Sequence, residues 1–419
     1  MREMKDSGIA WVGEIPKEWT IMPLYCFYSE RKNKNIFGAE NNLLSLSYGK
    51  VIRKDINTSE GLLPSNYNGY NIVEAGDIII RPTDLQNDKR SLRTGLSKER
   101  GIITSAYIAL KPKNGINSRF YHYLLHTYDI LKVFYNMGNG VRQGLNYDEF
   151  AKLMVYSPSD TEQQRIAEFL DRECGKIDGL KADIQAQIDT LEQYKRSVIT
   201  EAVTHGLNPS APMKDSGAGW MPLIPLHWKA DKLKFHLRQR GIKNQIDKQV
   251  LSLYREYGIV PKDSRDDNHN VTSEDVSDYR YVRVGDFVVN KMKAWQGSVA
   301  VSNYEGIVSP AYFVYEFSDD LINKRYFHYL MRNKTYATEF RRLSGGIREG
   351  QWDLPSEALN NTIILLPPLD EQQEIADYLD NKCAEIEQII ADKKTQIETL
   401  DGYKKSLIYE YVTGKKEVV

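Results

Sequence analysis

Glu162-Gln163-Gln164-Arg165-Ile166-Ala167-Glu168-Phe169-Leu170-Asp171 opens a long amphipathic stretch. Glu371-Gln372-Gln373-Glu374-Ile375-Ala376-Asp377-Tyr378-Leu379-Asp380 opens its twin. Leu170, Ile177, Ile184, Leu191 and Val198 recur every seven residues, which puts them on one stripe of a helix. The twin stripe reads Leu379, Ile386, Lys393, Leu400 and Leu407, with Ile389, Ile390 and Ile397 widening the apolar face around the one charge. Each helix is predicted to run about 60 Å at the usual rise per residue. A helix with so narrow a stripe needs a partner, and the best available partner is its own copy.

The twin lies 209 residues downstream in a chain of 419, so the chain is one unit written twice. Met4-Lys5-Asp6-Ser7-Gly8 recurs as Met213-Lys214-Asp215-Ser216-Gly217, and Trp11, Ile15, Pro16 and Trp19 recur as Trp220, Ile224, Pro225 and Trp228. Gly76-Asp77 matches Gly285-Asp286, and His122-Tyr123-Leu124 matches His328-Tyr329-Leu330. Agreement is dense at the helices and the Ile-Pro/Trp segments and poor in residues 29–100 against 238–298. Two halves therefore share a frame and differ in what the frame carries. A period this long means two domains rather than a solenoid.

Composition is ordinary for a globular chain: 27% charged and 41% hydrophobic residues. No apolar run is long enough to span a membrane, and the N-terminus lacks a signal-peptide core. The three cysteines form no Cys-x-x-Cys pair, which argues against structural zinc and for a reducing cytoplasm. Net charge is −1, but it is unevenly spread. Residues 162–205 hold nine acidic and six basic residues, and 371–417 hold eleven and seven. The helices thus carry −3 and −4, leaving +6 on the rest. The acid sits on the rods and the base on the variable domains, which fits contact with nucleic acid there.

Taken in order, the pattern predicts a frame segment at 1–19 and a mixed domain at 20–160. A spacer helix follows at 161–207, then a linker and second frame segment at 208–228. A second domain at 229–369 and a second spacer helix at 370–414 complete the chain. Strands are expected at 43–47, 77–81, 102–110, 250–254, 286–290 and 312–317, and helices at 119–134, 148–153 and 324–332. Thr161 and Asp370 are the expected N-caps of the long helices, and Gly175, Gly179 and Gly402 are breakers that packing must overcome. The N-terminal frame segment is expected to lie where the second long helix ends.

No methyltransferase Asn/Asp-Pro-Pro-Tyr motif and no Walker A loop occurs. Gly138-Asn139-Gly140 with Gly144 follows a helix rather than a strand, which is the wrong context for a nucleotide loop. His122 and His126 stand four apart, but Tyr123 occupies the position where a zinc protease needs glutamate, so packed histidines are the simpler reading. The loop after the strand ending at Arg81 reads Asp84-Leu85-Gln86-Asn87-Asp88-Lys89-Arg90-Ser91-Leu92-Arg93. Its counterpart reads Lys291-Met292-Lys293-Ala294-Trp295-Gln296. Both are rich in side chains that read base edges: Arg and Lys for guanine, Gln and Asn for adenine. Either could be a solvated loop taken singly. Two unlike loops at matched positions of one frame favour reading heads. Arg142 and Arg348 follow glycines in matching turns suited to a phosphate or to a structural ion pair. The candidate DNA-contacting residues are therefore Arg81, Gln86, Asn87, Arg90, Arg93 and Arg142 in the first half. In the second they are Lys291, Lys293, Trp295, Gln296 and Arg348. Trp11, Trp19, Trp220 and Trp228 read as core anchors, because the repeat keeps them identical.

Glu-Gln-Gln-x-Ile-Ala-x-x-Leu-Asp after Pro-bearing ends, the Ile-Pro-x-x-Trp starts and Tyr-Lys-x-Ser late in each helix resemble the specificity subunits of type I restriction–modification systems. The resemblance covers the whole two-copy layout. Ser157-Pro158-Ser159, where paired prolines are usual, and Lys393 are the departures. It implies an α+β chain with a pseudo-twofold internal repeat. Two similar mixed α/β target recognition domains would be joined by two long antiparallel helices in a coiled coil. It further implies a non-catalytic subunit that binds double-stranded DNA at a bipartite site, one domain per half-site. Two modification (methyltransferase) subunits dock on it, and restriction (translocase/nuclease) subunits join them. S-adenosylmethionine and ATP belong to those partners; this chain is expected to bind no cofactor and no metal, to contact no membrane, and to be cytoplasmic. The rods would then act as a ruler, with recognition centres about one turn of B-DNA apart, roughly 34–36 Å. The competing readings are an orphan DNA-binding regulator and a protein-interaction scaffold.

Overall fold

The computed structural model describes residues 2–57, 66–83, 85, 92–137, 144–255, 257–264, 272–346 and 352–418. The chain divides into two compact units: residues 1–184 with 395–419, and residues 185–394. Each unit holds part of both long helices, Asp160–His205 and Leu369–Val412. The three glycines do not break either helix. Ser159 caps the first, its hydroxyl accepting from the Glu162 N–H at 3.4 Å, so Thr161 lies one turn position inside. Asp370 likewise lies inside a helix that begins at Leu369, straight after Pro367-Pro368.

Within unit 1 the helices run antiparallel. Asp178 pairs with Lys404 at 2.6 Å, and Lys181, three residues on, pairs with Asp401, three residues back. Within unit 2, Lys195 pairs with Glu387, and Gln187 accepts from Lys393. Leu170, Ile177 and Leu407 are buried in the unit 1 core and Leu379 in that of unit 2; Leu400 and Val198 pack against those cores half-buried. Ile386 is buried too, whereas Ile184 and Leu191 are half-buried. Ile188, off the heptad stripe, is buried instead.

Each unit carries the same four-stranded antiparallel sheet. In unit 1 its order is Tyr28–Glu30, Ile108–Pro112, Ile78–Ile80, Thr94–Leu96; in unit 2 it is Leu237–Arg240, Tyr312–Phe317, Phe287–Asn290, Val299–Val301. The central strand Ile78-Ile79-Ile80 is buried on both faces because apolar layers cover both. Ile78 and Ile80 join the core against the helix Ser118–Ile130, and Ile79 joins a second core with Leu44 and Val73. Phe287 and Val289 against Val288 repeat that split in unit 2.

The predicted strand at 102–110 is two strands, Gly101–Ile103 and Ile108–Pro112, because a turn closed by Tyr107 N–H to the Thr104 carbonyl sends them to different partners. Gly101 and Gly306 are fixed by a close backbone approach. A Cβ at either would sit 2.5 Å from the Asn42 or Gln249 carbonyl oxygen. The helix Ser118–Ile130 is capped by Asn117 and Lys324–Arg332 by Asn323, each side chain accepting two backbone N–H groups. The N-terminal segment meets the end of the second long helix in unit 1, where Lys415 Nζ donates to the Val12 carbonyl at 2.9 Å.

Candidate nucleic-acid interface

In unit 2 the loop after Phe287–Asn290 is a built object. Asn290 ends the strand nearly buried, and its Oδ1 accepts the Met292 N–H at 3.1 Å. Ala294 is buried beneath the loop, and Gly297, at φ +88°, turns the chain into the next strand. Trp295 donates its indole N–H to the Met292 carbonyl at 3.1 Å, and its ring centroid lies 5.5 Å from that of Trp352. The Arg341 guanidinium sits 5.9 Å from the Trp295 centroid and 5.7 Å from that of Trp352, within cation–π range. Lys291 pairs with Asp353 at 3.1 Å, and its carbonyl accepts the Leu354 N–H at 3.0 Å. Lys293 and Gln296 stay exposed on this rigid base, so the structure presents two of the four predicted side chains freely to solvent. Trp295 is half-buried in the aromatic cluster and Lys291 is held by Asp353.

Unit 1 frames its loop by the same device and a different lock. Leu145 N–H donates to the Pro82 carbonyl at 3.0 Å, which is the Leu354–Lys291 bond displaced by 209 residues. Arg93, however, is fully buried. Its guanidinium donates to the Arg81 and Thr83 carbonyls, and its own N–H donates to the buried Asp129 carboxylate. Arg93 therefore braces the base of the loop in this structure, since a fully buried guanidinium offers nothing to a base edge. Burial pushes the Asp129 carboxyl up to about 6. Arg81 is half-buried at the end of the strand. Gln86, Asn87, Arg90, Arg142 and Arg348 lie outside the described residues, as does Gly138-Asn139-Gly140.

Beneath each sheet the frame is shared. Arg31 pairs with the buried Asp77 and Arg240 with the buried Asp286, 209 residues on in both members. Burial raises both carboxyls, and the arginines offset only part of that rise. Desolvation pushes the half-buried His122 down to about 3 and the half-buried His126 to about 4. Both are neutral packing groups near neutral pH, and among the described residues no cluster of metal-ligating side chains occurs. Among the same residues no helix is long and apolar enough to cross a membrane.

Trp352 and Asp353 were missed from the sequence. A signal was there: four of the six tryptophans match across the repeat, and the two without a counterpart, Trp295 and Trp352, are the pair that meets.

A family model for the type I restriction modification DNA specificity domain matches residues 30–190 and 242–399. The chain belongs to that family. It is a DNA-sequence-recognition subunit of a type I restriction–modification system, and its two matches fall one in each half of the repeat. It is 26% identical over 344 residues to the type I restriction enzyme MjaVIII specificity subunit of Methanocaldococcus jannaschii, covering 76% of this chain and 75% of that protein. A chain solved in work on complex assembly and conformational transition of the type I restriction–modification system superposes with TM-score 0.66 at 13% identity. That match covers 96% of this chain and 99% of the other, so the fold is shared. The HsdS subunit from Thermoanaerobacter tengcongensis matches at TM-score 0.48 and 13% identity over 96% and 98%.

Proposed function

We propose that each unit reads one half of a bipartite DNA site through the loop after its central strand, while the long helices set the gap. The observation that carries this is the unequal repeat. The same strand and the same hydrogen bond behind the loop, Leu145 to Pro82 and Leu354 to Lys291, recur at an offset of 209, and the loop sequences mounted on them differ. Lys293 and Gln296 are the second unit's base-edge candidates, and Gln86, Asn87 and Arg90 the first's. Arg81, Arg142 and Arg348 grip phosphate, and Lys291 joins them once a phosphate displaces Asp353 from its ammonium. Trp295 and Arg93 hold the loops in shape.

On this reading the chain is non-catalytic and cytoplasmic. It docks two modification subunits, which bring S-adenosylmethionine and methylate adenine N6, and restriction subunits, which use ATP. It holds no cofactor or metal of its own. Mapping N6-methyladenine in the source genome with and without this gene tests the proposal. A bipartite methylated motif that disappears with the gene supports it, and an unchanged methylation pattern refutes it.

A further inference from the structure

Each unit lifts one apolar side chain out of a basic segment that leaves the sheet beside its reading loop. In unit 1 the strand Ile108–Pro112 lies between Tyr28–Glu30 and Ile78–Ile80. Glu30 pairs with Leu110 and Ile80 with Ile108, so both flanking strands run toward the start of Ile108–Pro112. The segment after Glu30 and the loop after Ile80 therefore leave the sheet at the same end. In unit 2 Arg240 pairs with Val314 and Asn290 with Tyr312, which gives the same relationship.

The segment after Glu30 rises to Ile36-Phe37. Among the described residues Phe37 is the most exposed large apolar side chain, at 94%, and Ile36 is 58% exposed. Phe37 is held at φ +61° and ψ +18°, a left-handed conformation that phenylalanine rarely adopts. A buried residue fixes its base. The Asn35 side chain donates to the Glu40 carbonyl at 2.9 Å and accepts the Glu40 N–H at 2.8 Å, and the Asn35 N–H donates to the Tyr70 carbonyl at 2.9 Å. Lys34-Asn35 recurs as Lys243-Asn244, 209 residues on, within the stretch where the halves agree poorly. Asn244 sits at φ +61°, its N–H donates to the Ser277 carbonyl at 2.9 Å, and Ile246, the counterpart of Phe37, is 57% exposed. One exposed apolar side chain is ordinary. An apolar tip on a left-handed turn, repeated beside each reading loop, calls for a partner. The stem is cationic: residues 31–39 hold three basic and no acidic side chains, and 240–248 hold three basic and one acidic. A basic stem suits phosphates, and phenylalanine and isoleucine are both side chains that DNA-bending proteins insert between base pairs.

We propose that Phe37 and Ile246 are base-step wedges, each inserting between two base pairs of its own half-site. Pyrimidine–purine steps open most cheaply, so each wedge adds sequence preference without a base-edge hydrogen bond. This rests on the reading of one half-site per unit given above. The test uses the full chain assembled with its modification subunits, on duplexes of the mapped methylated motif. Fluorescent 2-aminopurine replaces adenine, and pyrrolocytosine replaces cytosine, one position at a time on either strand, leaving out the methylated adenines. Binding should raise fluorescence at one step in each half-site. Phe37→Ala should abolish the rise in one half-site and Ile246→Ala that in the other, while Phe37→Leu keeps it. Phe37→Ala should weaken binding about tenfold with its salt dependence unchanged, because no phosphate contact is lost. Phe37→Gly relieves the left-handed backbone, so it should raise the denaturation midpoint while losing the same step, which separates wedging from folding. No rise at any step, or rises that persist in both alanine variants, overturns the wedge alone. So does a Phe37→Ala loss that vanishes when deoxyuridine replaces thymidine, which marks a methyl contact, or a Phe37→Ala defect in subunit assembly rather than in DNA binding. The absence of any methylated motif that depends on this chain overturns the half-site reading with it.

Discussion

Trp19 donates its indole N–H to Glu162 at 2.9 Å, and Trp228 donates to Glu371 at 3.0 Å. Both indoles are fully buried, and both bonds tie a frame segment to the first turn of a long helix. The second ligand of each carboxylate differs: Arg2 in unit 1, His227 at 2.7 Å in unit 2.

Replacing Glu162 by Ala strands a buried donor and should cost about 1–3 kcal/mol. Glu162→Gln keeps an acceptor for the indole and should cost less. Urea unfolding of both variants checks this; equal losses would mean that the Arg2 ion pair, rather than the indole bond, holds the clasp.

A second repeated contact latches each sheet-backing helix to its rod. Tyr123 OH donates to Asp171 Oδ1 at 2.8 Å beside Arg119, and Tyr329 OH donates to Asp380 Oδ1 at 2.8 Å beside Arg325. The pairs are partly exposed, so Asp171→Asn should cost only about 1 kcal/mol in stability. Its larger effect should be on positioning: both half-sites are still read, but sites with a gap one base pair longer or shorter bind better relative to the correct site. A competition binding series over gap lengths measures this, and unchanged discrimination would leave the latch purely structural.

Acid stability should follow three half-buried histidines. His122, His126 and His328 titrate at about 3, 4 and 4 when folded, against an ordinary 6.5. The unfolded chain takes up their protons first. Folding free energy is therefore lost as pH falls from 6.5 toward 4, by up to about 1.4 kcal/mol per unit for each histidine. Asp129 has the opposite sign: raised from 3.8 to about 6, it gains its proton first in the folded state, so acidification through that window stabilises. Asp129→Asn should make the chain more stable at pH 7.5 and its acid loss steeper, whereas His122→Phe should flatten it. Denaturation midpoints between pH 4.5 and 7.5 decide.

Much of this was legible because the chain is written twice. The rods, their stripe residues Leu170, Ile177, Leu379 and Leu407, and the strand at Phe287–Asn290 follow from periodicity that a repeat confirms internally. Helix Lys334–Leu343 was missed: Asn333 caps it immediately after Lys324–Arg332 ends, and a two-helix corner leaves no break in polarity to read. Arg93 was assigned to DNA on residue type alone. Only tertiary context, the Asp129 carboxylate and two loop carbonyls around it, shows an arginine spent on the fold. Trp295 and Trp352 meet from 57 residues apart, which spacing cannot announce.

Inserting one heptad into both long helices should lengthen the gap of the recognised site and leave both half-sites as they were, because the loops and their frames are untouched. Methylation mapping of the altered strain reads the outcome; changed half-sites with an unchanged gap would separate the rods from spacing.

The most direct test replaces residues 80–95 with those of a relative of different specificity and maps N6-methyladenine in cells carrying the hybrid. One half of the methylated motif should change while the gap and the other half persist. A change in both halves, or in neither, would contradict the assignment of one reading loop to each unit.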